Sequence, residues 1–168
     1  IGGEGIDSDV NEVIRWDAYG NSGTFTLEYS TNNGASWSNI ATGISGSQRF
    51  YNWNVPATVT GQALVRVSRG ASSSQSHQPF SVIQVPTGLT VNWACPDSIN
   101  VSWNAVSGAT GYEVSLLGAK YMDFAGTAMG QTNLTIYAPS TQSHWWSVKA
   151  LSNNNCKGRR AIAQYHAG

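Results

Sequence analysis

The chain has 168 residues, which is enough for one large domain or for two of about 80 to 90 residues each. Nine Lys and Arg balance nine Asp and Glu, and charged residues make up only 11% of the chain, so we expect no nucleic-acid partner and no binding to an anionic membrane. No run of about 18 apolar residues occurs, which argues against membrane insertion. Eighteen Gly, seven Trp and seven Tyr favour an all-β protein of short strands and tight turns.

The first part of the chain alternates apolar and polar residues with a period of two. This holds for residues 10–17, and a Gly-Asn-Ser-Gly turn at 20–23 is followed by Phe25, Leu27 and Tyr29 with the same period. The pattern predicts a β-hairpin between these two strands.

Four more strands are predicted before residue 85. The first returns through Trp37 and Ile40 after a turn at residues 32–34. The inward residues of the other three are Tyr51, Trp53 and Val55, then Ala63, Val65 and Val67, and finally Phe80 and Val82. The polar segment 70–77 is predicted to be an exposed loop. Short strands at this spacing predict a β-sandwich for residues 1–85.

Seven further runs match strands after a short connection near Pro86. They cover residues 89–93, 99–103, 112–116, 121–124, 134–137, 146–150 and 160–164. We therefore place a second domain at residues 86–168. The cluster Lys157-Gly158-Arg159-Arg160 before the last run is interpreted as a solvated turn.

Three motifs of the second half follow one another in a recognisable order. They are Ser98-Ile99-Asn100-Val101-Ser102-Trp103-Asn104, Gly108-Ala109-Thr110-Gly111-Tyr112-Glu113-Val114 and Trp145-Trp146-Ser147-Val148-Lys149-Ala150. This order resembles a fibronectin type III module, which implies a sandwich with Trp103 and Tyr112 between its sheets. Trp146 stands where the family has its corner tyrosine, so an indole N–H must replace the phenol or the corner is built differently.

One turn of the first half carries a motif of its own. Ser30-Thr31-Asn32-Asn33-Gly34-Ala35-Ser36-Trp37 resembles the Asp-box, S-x-D-x-G-x-x-W, with Asn32 in place of the Asp. Because the motif occurs once and without the arginine cluster of a sialidase, we interpret it as a structural hairpin turn.

The first half as a whole resembles the Ig-like accessory domains of exported bacterial proteins, and also the Ser/Thr-rich cell-wall domain of fungal glucan-synthesis proteins. The two halves together imply tandem Ig-like/fibronectin type III β-sandwiches that serve a secreted or cell-surface protein without catalysing a reaction. Because the chain begins at Ile1 rather than Met, we expect it to be part of a longer polypeptide. The expected partners are other domains of that protein, a cell-surface protein or a polysaccharide, and the module itself should be a monomer.

A search for catalytic chemistry identifies no site. No G-x-S-x-G elbow occurs, His77, His144 and His166 lack zinc-binding spacing, and no pair of carboxylates stands out. We therefore predict no enzyme and no cofactor. Asp7 and Asp9 could supply oxygen ligands to calcium, but a solvated leader to the first strand is the alternative, and the sequence leaves both open.

The two cysteines allow two interpretations. A disulfide between Cys95 and Cys156, which are 156 − 95 = 61 positions apart, would contribute roughly 4 kcal/mol on the chain-entropy model and would suit an exported protein. Two buried thiols are the alternative, since an ordinary module would place these positions toward opposite ends.

The tryptophans divide into core and candidate surface residues. Four tryptophans lie on the side of their strands that the alternation assigns to the interior, and they are predicted to form the core: Trp16, Trp53, Trp103 and Trp146. Because neighbouring residues of a strand point to opposite faces, Trp145 should then point outward. We propose a ligand platform for carbohydrate or protein, with packing at the rim of the core as the alternative. Its candidates are Trp145, Tyr121, Trp93 and Trp37.

Overall fold

The computed structural model describes residues 3–139 and 141–168, and within these ranges the chain forms fifteen β-strands and no helix. None of the described segments is a helix with the length and hydrophobicity needed to span a bilayer. The strands build two consecutive β-sandwiches, as the sequence predicted.

The first sandwich contains eight strands. They are β1 (Gly5–Ile6), β2 (Asn11–Arg15), β3 (Thr24–Ser30), β4 (Ser38–Ser45), β5 (Phe50–Asn54), β6 (Thr60–Arg69), β7 (Ser72–Gln75) and β8 (Phe80–Val82). One sheet has the order β1-β8-β6-β3-β4, with β7 also paired to β6, and the other consists of β2 and β5. Trp16 and Trp53 are buried in its core, as predicted.

The predicted hairpin between the first two long strands is wrong. Strand β2 pairs with β5, from Asn11 opposite Asn54 to Arg15 opposite Phe50, whereas β3 pairs with β4 and β6 in the other sheet. Alternation identifies which residues face the core but not which strand lies alongside. Here Trp16 is buried just after β2, and the chain then crosses to the opposite sheet.

Two further segments differ from expectation. The predicted loop 70–77 contains β7, which pairs with the end of β6 and is exposed along its whole length. The polar composition of this segment therefore predicted its exposure correctly, but the prediction that it has no strand was wrong. The leader contains β1, which runs parallel to β8 with Gly5 opposite Ser81.

The Asp-box segment forms the turn between β3 and β4. The Ser30 hydroxyl oxygen accepts hydrogen bonds from the N–H groups of Asn32 (3.2 Å) and Gly34 (2.9 Å). The Ser36 N–H donates to Asn32 Oδ1 at 2.9 Å. Asn33 and Gly34 have φ angles of 56° and 86°, which Asn and Gly tolerate best. These bonds account for the motif as a local turn.

The second sandwich contains seven strands, as predicted. They are β9 (Thr90–Cys95), β10 (Ser98–Ser102), β11 (Gly111–Leu117), β12 (Met122–Met129), β13 (Asn133–Tyr137), β14 (His144–Leu151) and β15 (Gln164–His166). The sheets have the orders β13-β10-β9 and β12-β11-β14-β15. The last strand begins at Gln164, where the predicted run 160–164 ended.

Its core has the residues that the fibronectin type III resemblance implied. Trp103 and Tyr112 pack with ring centroids 5.2 Å apart, and Trp146 is fully buried. The Val106 N–H donates to the Tyr112 hydroxyl oxygen at 2.8 Å, whereas the indole N–H of Trp146 has no partner in the described residues. The corner is therefore built differently, because the loop-anchoring phenol lies on β11 and not on β14.

The segment between β14 and β15, residues 152–163, makes non-covalent contacts with the first sandwich. We call this segment the docking loop. The Lys157 N–H donates to Ser81 Oγ (2.9 Å), and Arg159 forms an ion pair with Glu12 (2.6 Å). Gly61 lies so close to Cys156 that a Cβ atom there would be 2.6 Å from its backbone nitrogen. The turn at residues 157–160 keeps Lys157 and Arg159 exposed, as interpreted, but it also bonds to the other sandwich, which the sequence did not indicate.

Candidate interaction surface

One outer face of the second sandwich is unusually apolar. Along β14 the side chains alternate, so that Trp146 and Val148 enter the core while Trp145 and Ser147 belong to the opposite face. The neighbouring strand β11 is in register, with Leu116 opposite Trp146, so Leu117 adjoins Trp145.

Four strands contribute to a continuous row on this face. Met122 lies opposite Leu117, Leu117 adjoins Trp145, and Trp145 lies opposite Tyr165. The Trp145 and Tyr165 side chains are 46% and 54% exposed, and their ring centroids are 5.2 Å apart. The Tyr165 hydroxyl donates to Ser143 Oγ at 2.9 Å, which fixes one edge of the row.

The next row of outward side chains, two residues along each strand, combines one aromatic ring with small residues. Phe124, 67% exposed, lies opposite Ser115, which in turn lies opposite Ser147. The Ser147 hydroxyl donates to the Ala161 carbonyl at 2.6 Å, whereas the buried Ser115 hydroxyl has no partner within the described chain. We call Leu117, Met122, Phe124, Trp145 and Tyr165 the aromatic face.

Charged side chains border the aromatic face two residues further along β11 and β14. Glu113 and Lys149 lie opposite each other with Oε1 and Nζ 2.6 Å apart, and Arg160 approaches the same carboxylate at 4.0 Å. One carboxylate thus faces two cations, so this border carries a net charge of +1 while the face itself consists of uncharged side chains.

The structure separates the four predicted platform residues. Trp145 belongs to the aromatic face, and Tyr121 lies in the turn before Met122, 68% exposed, with the Lys120 ammonium 5.3 Å from its ring centroid. Trp93 lies opposite Asn100 on the outer side of the other sheet. Trp37 lies in the first sandwich beneath the Arg66 guanidinium, 4.2 Å from the ring centroid. These four side chains therefore do not form a single platform.

Of the five members of the aromatic face, only Trp145 was singled out from the sequence; two of the four that were missed are aromatic. Phe124 falls within the predicted strand 121–124, but a register shift between Val114 and Ser115 determines what it faces. Tyr165 lies one residue beyond the predicted end of the last strand. The only available signal was the Trp145-Trp146 pair, which requires one outward indole.

The candidate disulfide between Cys95 and Cys156 is not formed. Cys95 is exposed at the end of β9, and Cys156 is buried in the docking loop, where its thiol approaches the Val82 carbonyl oxygen (3.9 Å). Burial raises the pKa of the Cys156 thiol, and a hydrogen bond with Ser81 partly opposes this shift. The docking loop thus turns Cys156 toward the first sandwich.

The two thiols should therefore react at very different rates. We expect Cys95 to be modified rapidly by a disulfide reagent such as DTNB in the native protein, because the thiolate is the reactive form and this residue is accessible. Cys156 should react slowly until denaturant is added. Counting released thionitrobenzoate over time tests this, with Cys95→Ser as the control that leaves only the slow phase. Two fast thiols would contradict the buried position of Cys156.

The candidate calcium ligands are placed differently from a metal site. The Asp7 carboxylate accepts a hydrogen bond from the Val85 N–H at 3.0 Å, which ties the leader to the connection between the sandwiches. Asp9 has a φ of 60° in the turn before β2. The part of the chain that the structure describes contains no group of three His, Cys, Asp or Glu side chains that could hold a metal ion.

Comparison with known sequences gives one relative. Over 98 residues, 58% of this chain, the sequence is 31% identical to a poly(3-hydroxybutyrate) depolymerase of Delftia acidovorans. The match spans 19% of the length of that protein. No protein-family model matches the sequence.

Comparison with solved structures gives similarity over nearly the whole chain. A cytokine receptor complex matches with a TM-score of 0.56 and 14% identity, covering 96% of this chain and 93% of that one. A segment of two fibronectin type III domains from chicken tenascin matches with a TM-score of 0.50 and 12% identity, covering 96% and 94%. The chain therefore has the fold of tandem fibronectin type III-like modules.

Proposed function

We propose that this chain is a non-catalytic accessory module of an exported multidomain protein and that it contacts a partner through the aromatic face. The observation that carries the proposal is the continuous apolar row formed by Met122, Leu117, Trp145 and Tyr165 across four strands. Exposed aromatic residues with a polar border are typical of sites where proteins bind other surfaces.

The way the two sandwiches are joined supports a role in orientation as well as in binding. We place the domain boundary between residues 85 and 86, in the connection from β8 to β9. Because the docking loop bonds to β1, β2 and the strand that carries Ser81, the aromatic face would be held at a fixed angle to the first sandwich. Such a module would position a neighbouring domain rather than tether it loosely.

We propose an apolar polymer surface as the partner of the aromatic face. The relative is named for a polyester, poly(3-hydroxybutyrate), which has no charged groups. A face built from Phe124, Trp145 and Tyr165, none of which is charged, would gain free energy by removing apolar area from water. We also propose that the protein to which this chain belongs is exported from the cell.

A carbohydrate is the second candidate partner, because aromatic rings also stack on sugars. Sugar platforms work best with rings lying in one plane along the chain of the polysaccharide. Here the planes of Trp145 and Tyr165 are inclined by 52°, which favours a surface without a repeating planar ring.

The proposal is tested by sedimenting the protein with insoluble poly(3-hydroxybutyrate) particles and, separately, with cellulose and chitin. We expect retention on the polyester and a loss of about tenfold or more in affinity for Phe124→Ala and Trp145→Ala, since each removes a large apolar side chain from the contact. Tyr137→Ala is the matched control, because this exposed aromatic residue lies on β13 in the other sheet.

Two results would count against this partner. Equal retention of Tyr137→Ala, Phe124→Ala and wild type would show that the aromatic face is not the contact. Retention on cellulose or chitin but not on the polyester, lost in Trp145→Ala, would instead favour the carbohydrate.

A further inference from the structure

The two sandwiches differ at one place in their smaller sheets. In the second, β10 lies between β13 and β9. In the first, β2 pairs with β5 on one side, and within the described residues no strand pairs with its other side. The strand that precedes β2 in the sequence, β1, pairs with β8 in the opposite sheet instead. Within the residues that the structure describes, no strand of the first sandwich therefore takes the position that β9 has in the second.

The unpaired edge of β2 presents backbone groups in strand geometry. The Trp16 N–H donates to the Arg49 carbonyl (3.1 Å) and the Val55 N–H to the Val10 carbonyl (2.9 Å), so even-numbered residues of this segment bond to the β5 side. In an antiparallel pair the alternate residues point their N–H and C=O groups away from the partner. Asn11, Val13 and Arg15, all exposed, therefore direct one donor and one acceptor each to the side away from β5.

A groove of about 620 Å³ lies along this edge. One wall is formed by β2 and the following Trp16, and the other by the end of β7 and the segment leading to Phe80. Ile14, Trp53, Val65 and Phe80 contribute apolar lining. The groove is thus apolar inside and has a row of backbone donors and acceptors along one edge.

A buried donor also lacks a partner at this place. Trp16 lines the groove, and its indole N–H is buried without a hydrogen bond to any described residue. Trp103, which follows β10 as Trp16 follows β2, has the same unpaired indole N–H although β9 lies beside β10. The Trp16 indole is therefore a spectroscopic reporter on the groove and not evidence for an occupant.

We propose that the groove beside β2 binds an extended polypeptide strand from a partner protein, which adds to β2 in the antiparallel sense that β9 has beside β10. Only a polypeptide main chain offers donors and acceptors at the spacing of Asn11, Val13 and Arg15. Three carboxylates (Glu4, Glu12 and Asp17) and two guanidinium groups (Arg15 and Arg159) line the groove, and Glu12 is paired to Arg159. The recognised strand therefore has apolar residues at its inward positions and carries no net negative charge. This site is separate from the aromatic face and does not depend on the function proposed above.

The test uses a synthetic peptide that copies residues 87–94, the segment that fills the equivalent position in the second sandwich. Amide hydrogen exchange is followed by NMR with and without this peptide. We expect saturable binding that slows exchange at Val13 and Arg15 by at least about tenfold and shifts the indole N–H signal of Trp16. A peptide N-methylated at every backbone nitrogen should have no effect, because it has no N–H left to donate along either edge.

One protein variant, Val13→Pro, completes the test. Val13→Pro removes an N–H that the β5 pairing does not use, so it should fold and fail to bind. If it does not fold, the N-methylated peptide still decides the question. Equal binding of both peptides, or no change at Val13 and Arg15, would overturn the proposal. Sedimentation as a dimer with the same amides protected in the absence of peptide would also overturn it, by showing that a second copy of this chain occupies the edge.

Discussion

Replacing Trp146 by alanine should destabilise the second sandwich by about 3 to 5 kcal/mol, whereas the same change at its neighbour Trp145 should cost about 1 kcal/mol or less. The two residues are adjacent and chemically identical, but Trp146 is 0% exposed and Trp145 is 46% exposed. Removing Trp146 leaves a cavity among Val114, Val148 and the rest of the core, which the rigid sheets cannot fill.

Urea unfolding followed by far-ultraviolet circular dichroism measures this difference, with Trp145→Ala as the matched control. Trp146→Phe adds a second comparison, because it keeps most of the apolar volume, loses part of the bicyclic ring, and removes the indole N–H, which has no partner in the described structure. It should be less destabilising than Trp146→Ala. Similar losses for Trp145→Ala and Trp146→Ala would mean that the assignment of inner and outer faces on β14 is incorrect.

Gly61→Ala should loosen the contact between the two sandwiches and cost about 1 to 3 kcal/mol. A methyl group at this position would overlap the backbone of the docking loop, at the Asn154 carbonyl oxygen and at Cys156. Backbone atoms cannot turn aside as a flexible side chain can, so the loop must move away from the first sandwich. The Cys156 thiol should then become accessible.

The measurement is the reaction rate of Cys156 with DTNB in a Cys95→Ser background. Gly46→Ala is the matched control, because its methyl group would overlap the backbone of Asn21 and Gly23 inside the first sandwich, away from the docking loop. We expect Gly61→Ala to accelerate the Cys156 reaction and Gly46→Ala to lower the free energy of unfolding without doing so. A thiol that stays as slow in Gly61→Ala as in the parent would refute the proposed docking contact.

The sequence predicted the inward faces of the strands better than their partners. Trp16, Trp53, Trp103 and Trp146 are all in the core because alternation fixes the side of a strand on which a residue lies. Alternation contains no information about which strand is adjacent. The pairing of β2 with β5 therefore could not be distinguished from a local hairpin.

The same limit explains what was missed at the surface. Trp145 could be assigned to the outside because Trp146 had to be inside. Phe124 joins it only because of a register shift in β11 and β12, and Tyr165 only because β15 begins late, after the docking loop has contacted the other sandwich. The burial of Cys156 likewise depends on a contact between distant parts of the chain, which no local pattern encodes.

The docking loop gives the molecule a mechanical property. It connects β14 and β15, which are the strands that carry Trp145 and Tyr165, and its contacts with the first sandwich include Ser81 and Glu12. A force applied to a ligand bound by Trp145 and Tyr165 would therefore be transmitted along β14 and β15. It would act on the contact between the docking loop and the first sandwich. The two sandwiches should therefore respond to such a force as one stiff body and not as two independently moving domains.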